Sequence, residues 1–128
     1  MKQMTKEWVN KAEGDFKVAN REWRAKKPIY DAVCFHSQQC VEKYLKAIIQ
    51  EQGKDPPKTH NLAFLLELIK HNQWLLDIKD KLGEIQFYAI SSRYPGASMS
   101  KKDAKQALKI AGLVRRRAKK MLGLEKER

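Results

Sequence analysis

Four polar residues, His36, Gln39, Lys43 and Lys46, recur at intervals of three, four and three within the run FHSQQCVEKYLKA. On a helix they form a single stripe. An imidazole, an amide and two ammonium groups in a row suit contacts to phosphates or nucleobases, and a solvated helix face is the simpler reading of the same pattern. His60, in KTHNL, is expected in the first turn of a later helix. A neutral imidazole there bonds or packs against a neighbour, whereas a protonated one opposes the helix dipole. Arg93 and Tyr94 stand just before a Pro-Gly turn in SSRYPGASM. They place a cation and an aromatic hydroxyl on a loop, where function concentrates, although an arginine at that point also suits capping the preceding helix. Arg93 and Lys43 are expected to line one cleft.

A second feature is electrostatic. Between Lys101 and Leu122 nine basic residues accompany one acid, Asp103, which accounts for +8 of the chain's formal +12. Cations in a last turn suit the helix dipole, but nine exceed that need. Lys105, Lys109, Arg115, Arg116, Arg117, Lys119 and Lys120 therefore form a candidate polyanion-facing surface, or a merely solubilising one. A sequence pI near 9.8 points the same way, towards RNA, DNA or an acidic protein.

Signals for enzyme chemistry are sparse. No Gly-rich phosphate loop or paired carboxylates occur, so no catalytic residue is assigned. His36 and Cys40, four apart, lack a second ligand pair for a metal, and neither a metal nor a cofactor is expected. Cys40 falls on an apolar face, which argues against a nucleophile. Cys34 and Cys40 point to different sides of one helix and cannot readily pair; two such thiols imply a reducing cytoplasm. No run approaches the roughly twenty apolar residues of a membrane span, and the N-terminus lacks a signal-peptide core.

The elements that must position these residues are all helical. At 128 residues one domain is expected, covering 1–128. The first helix is expected from Thr5, as N-cap, to Lys26, with Trp8, Ala12, Phe16, Ala19 and Trp23 as its inner stripe. Asp15, at the stripe's edge, bonds a neighbouring helix or faces water. A central helix from Tyr30 to Gln52 buries Val33, Cys40, Tyr44 and Ile48 and ends at Gly53. After Asp55-Pro56-Pro57, Thr59 is expected to cap a third helix through His71, followed by a fourth from Leu75 to Ile90. Ser100 and Asp103 open the last helix, whose inner face is Ala104, Ala107, Leu108, Ala111, Val114, Ala118 and Leu122. The expected fold is an all-α, up-and-down bundle of four long helices plus a shorter one, consecutive helices lying antiparallel.

FHSQQCVEKYLKA, then KTHNL, then SRYPG before a Ser-capped final helix, together resemble the prokaryotic HEPN domain family across nearly the whole chain. The resemblance implies a bundle similar to the substrate-binding C-terminal domain of kanamycin nucleotidyltransferase. It also implies a homodimer that works beside a minimal nucleotidyltransferase in a toxin–antitoxin-like pair and binds nucleotide. Ribonuclease branches of the family use an Arg followed four to six residues later by His. Here the window after Arg93 reads Ser98-Met99-Ser100, and no histidine has an arginine at that distance. The resemblance therefore carries Gln39, Lys43, His60, Arg93 and Tyr94 as ligand-binding residues of a nucleotide- or substrate-binding module, to which the polar stripe adds His36 and Lys46. RNA binding, or RNA cleavage at a non-standard site, is the alternative.

Overall fold

The structure, a computed structural model, describes residues 1–124. Six helices are seen among them: α1 (Gln3–Trp23), α2 (Tyr30–Glu51), α3 (Leu62–Leu68), α4 (Gln73–Leu76), α5 (Lys79–Ser91) and α6 (Lys101–Met121). The all-α class is as expected, but three helices are long rather than four. Among the described residues no helix is long and apolar enough to cross a membrane.

Helix α2 is the axis, and α1, α3, α5 and α6 all pack on it. Thirteen of its 22 residues are buried, Val33, Cys40, Tyr44 and Ile48 among them. Helix α1 lies antiparallel to α2, with Trp8 beside Gln50, Asp15 beside Lys43, and Trp23 beside Tyr30. Ala12 and Ala19 are fully buried and admit the close approach, while the larger rings of Trp8, Phe16 and Trp23 pack partly buried at the rim. Thr5 does not cap α1. It is buried one turn inside the helix, and Lys2 is the N-cap, its amide donating to Glu51 Oε1 at 3.1 Å. The Ser100–Asp103 capping box forms as expected and starts α6. The inner face of α6 adds Ile110, which the spacing argument omitted, while Leu108 and Leu122 are only partly buried.

Two expected helices are broken, each by a side chain from elsewhere. The third stops at Leu68 because Gln52 grips the Lys70 backbone, accepting from its N–H at 2.8 Å and donating to its carbonyl at 2.9 Å. Asn61, not Thr59, is its N-cap, so His60 precedes the helix. The fourth is interrupted near Asp77. Arg117 donates to the Trp74 carbonyl at 2.6 Å and to Asp77 Oδ1 at 2.5 Å, closing α4 as a single turn. The Pro56-Pro57 link cannot coil. It runs back along α2, bringing His60 beside Glu42, about 14 Å of helix rise from Glu51. Helix α3 consequently runs parallel to α2, an exception to the antiparallel rule.

Helices α1, α2 and α6 are tied together by Glu13. Arg115 binds it through two hydrogen bonds of 2.7 and 2.9 Å, and the Tyr44 hydroxyl donates to Oε2. Partial burial alone would raise the Glu13 carboxyl, but the hydrogen bonds from Arg115 and Tyr44, helped by the charges of Arg115 and Lys119, hold it below 4.5. Burial and the Glu13 bond push the Tyr44 phenol up. A carboxyl lowered on folding stabilises the fold above its unfolded value and loses that contribution as pH falls through the folded one. Glu13→Gln should therefore lower the thermal midpoint at neutral pH, with the gap to the parent closing below about pH 4.5. A gap that is unchanged from neutral to strongly acidic pH would show that the charge on Glu13 is immaterial.

Candidate functional site

The half-buried Phe35, His36, Gln39 and Lys43 lie at helical spacing along the open edge of α2. On the side facing α1, Asp15 takes two partners: His36 Nδ1 at 2.8 Å and Lys43 Nζ at 2.6 Å. A carboxylate only accepts, so Nδ1 carries the imidazole proton and Nε2 is left to accept. The question of Asp15 is thereby decided in favour of a neighbouring helix, and the stripe is not a uniformly solvated face.

On the side facing the Pro-rich link the hub is Glu42, whose side chain is 4% exposed. It receives Lys46 Nζ at 3.1 Å, His60 Nδ1 at 3.0 Å and Gln38 Nε2 at 3.3 Å, with Gln39 Nε2 at 3.5 Å. Gln39 also donates to Gln38 Oε1 at 2.9 Å. Lys46 departs from the rest of the stripe. It is buried, paired with Glu42, and lies over the Trp8 ring at 5.5 Å. His60 remains 70% exposed while tethered by Nδ1, an oriented imidazole whose second nitrogen has no partner among the described residues.

Arg93 completes the edge. Its guanidinium lies over Phe35, 5.0 Å from the ring centroid, and has no ion-pair or hydrogen-bond partner among the described residues. It does not cap α5, whose end is closed by backbone bonds and by Ser92 Oγ donating to the Ala89 carbonyl. Tyr94 is exposed beside it. Arg93 and Lys43 are thus joined through Phe35, His36 (ring centroids 5.3 Å apart) and Asp15, along a strip of contacts.

Asp15, Phe35 and Glu42 were not assigned to the site from sequence. For Glu42 a signal exists: Gln38, Glu42 and Lys46 are stacked at successive intervals of four, donors on either side of an acceptor. The basic face of α6 divides. Arg115 and, more distantly at 3.8 Å, Lys119 pair with Glu13; Arg117 pairs with Asp77; Lys120 lies over Trp74 at 5.2 Å. Lys105, Lys109 and Arg116 are exposed and have no such partner among the described residues.

Neither thiol is poised to react. Cys34 and Cys40 are free and buried; burial, with nearby carboxylates, pushes Cys34 to about 12 and Cys40 higher. Among the described residues no group of three or more His, Cys, Asp or Glu could hold a metal.

The HEPN domain model matches residues 5–121. The chain belongs to the HEPN domain family. Two solved structures share its fold. TT1696 from Thermus thermophilus superposes with a TM-score of 0.82 at 18% identity, covering 94% of this chain and 99% of its own. ST0689, described as an archaeal HEPN homologue, superposes at 0.67 with 24% identity, covering 94% and 98%. No curated protein matches the sequence significantly. The motif residues of this HEPN chain come from α2, the Pro-rich link and the α5–α6 loop; Asp15 and Phe35 connect His36, Lys43 and Arg93, while Glu42 gathers Gln39, Lys46 and His60.

Removing Glu42 should strand a buried ammonium. Glu42→Ala is expected to cost about 3–5 kcal/mol in urea unfolding. Combined with Lys46→Met, much of that loss should return, and equal losses in the single and double variants would exclude the pairing as its cause.

Proposed function

We propose that this HEPN chain is a non-catalytic binding module that takes the phosphate of a nucleotide at the open edge of α2. In this reading it works in trans beside a minimal nucleotidyltransferase, in a toxin–antitoxin-like pair. The observation that carries it is Arg93, a cation held over Phe35 without a carboxylate partner among the described residues. An arginine fork matches phosphate oxygens in a bidentate fashion. Lys43 adds a donor whose charge Asp15 partly offsets, His36 offers Nε2 as an acceptor for a base or ribose hydroxyl, Gln39 offers an amide, and the exposed Tyr94 ring offers a face for a base.

The allocation of the histidines supports binding over cleavage. His36 and His60 each have Nδ1 engaged by a carboxylate, and neither has an arginine at the upstream spacing that ribonuclease branches use. The partner would supply the chemistry. Two identical modules are part of the proposal, and the exposed Phe64, Phe87 and Ile90 offer apolar surface that a second copy could cover. Two buried free thiols suit the cytoplasm as its compartment.

Arg93→Ala should weaken nucleotide binding, measured by calorimetry, by about tenfold or more, as loss of a charged hydrogen bond implies. Lys43→Met should weaken it less, because Asp15 already engages that ammonium. Tagged protein recovered from its native cell should carry a nucleotidyltransferase in stoichiometric amount. Recovery as a lone dimer, with nucleotide affinity untouched by Arg93→Ala, would overturn the reading.

A further inference from the structure

Helices α1 and α6 both pack on α2 but touch each other only sparingly, so a cleft runs between them. One part, about 380 Å³, is lined by Trp23, Lys105, Leu108, Lys109, Gly112 and Arg116. Trp23 also lines the next part, about 360 Å³, with Lys26, Tyr30 and Lys101. The indole therefore sits where the two meet. Lys101, Lys105, Lys109 and Arg116 fall at intervals of four, four and seven, one row along α6 with a rise of about 22 Å. Neither part is lined by a carboxylate, and none of these cations has an ion-pair or hydrogen-bond partner among the described residues. This contrasts with Arg115, Arg117 and Lys119 on the same helix, which internal carboxylates engage. Like charges four apart repel and weaken a helix, and a polyanion laid along them removes that penalty.

We propose that the α1–α6 cleft is a second site, separate from the α2 edge, and that it holds single-stranded nucleic acid. The row on α6 takes successive phosphates, and bases stack on Trp23 and Tyr30. An electropositive groove interleaved with aromatic rings is the arrangement by which unpaired strands are held without sequence preference. An acidic peptide would satisfy the cations but leave the rings uncovered. A duplex keeps its bases stacked inside and cannot lay them on the indole.

The test uses the full chain and fluorescence anisotropy of labelled oligouridylate of about twelve nucleotides, within the span such grooves accommodate, a duplex of equal length, and polyglutamate as competitor. Single strand should bind, its affinity falling with salt at a log–log slope of about −3, as neutralisation of about four phosphates requires. Lys105→Glu with Lys109→Glu should weaken binding at least tenfold; both residues are exposed, and circular dichroism checks that the helices persist. Trp23→Leu should weaken single-strand binding several-fold and Trp23→Phe should largely restore it, while Arg93→Ala should change it less than twofold. Four results would each overturn the proposal: no binding at about 50 mM salt, where such contacts are strong, indifference to the double charge reversal, a duplex bound as tightly, or polyglutamate competing equally at matched charge. The last of these would assign the cleft to an acidic protein instead.

Discussion

A carboxylate buried to 4% exposure inside an apolar bundle must be surrounded by donors, and Glu42 imposes that demand on its neighbours. Its partners come from its own helix (Gln38, Lys46) and from the Pro-rich link (His60), while the Trp8 ring of α1 covers the Lys46 ammonium. The same requirement places the Pro56-Pro57 segment, because only a chain returning along α2 can bring His60 to the carboxylate. The direction of α3 and the site of its capping residue follow from that return.

Glu13 serves the opposite flank in a similar way, joining α1 to α2 through Tyr44 and to α6 through Arg115. Three carboxylates, Asp15, Glu42 and Glu13, thus engage Lys43, Lys46, Arg115 and Lys119. What they do not engage becomes conspicuous by contrast. Arg93 on the α5–α6 loop, and the row from Lys101 to Arg116 on α6, carry charge without an internal counterpart among the described residues. In a HEPN bundle with a net charge of +12, the distinction between compensated and uncompensated cations says more about ligand surfaces than the total does.

Helical class, the span of α2, the capping box of α6 and the family motifs were legible because each depends on neighbours three or four residues away. Periodicity, cap chemistry and Gly or Pro punctuation are local, and local physics is written in local sequence. The broken helices were not legible. The grip of Gln52 on Lys70 and that of Arg117 on Trp74 and Asp77 act across long separations and override a good helical pattern. For the same reason the polar stripe looked like four equivalent groups. Its spacing is correct, but which of His36, Gln39, Lys43 and Lys46 meets a carboxylate, and which meets water, depends on what α1 and the link place opposite each. Residue type and spacing therefore specified which groups share a face, whereas packing of distant segments decided which of their charges are already satisfied, because an ion pair needs a partner in space and the chain supplies it from afar.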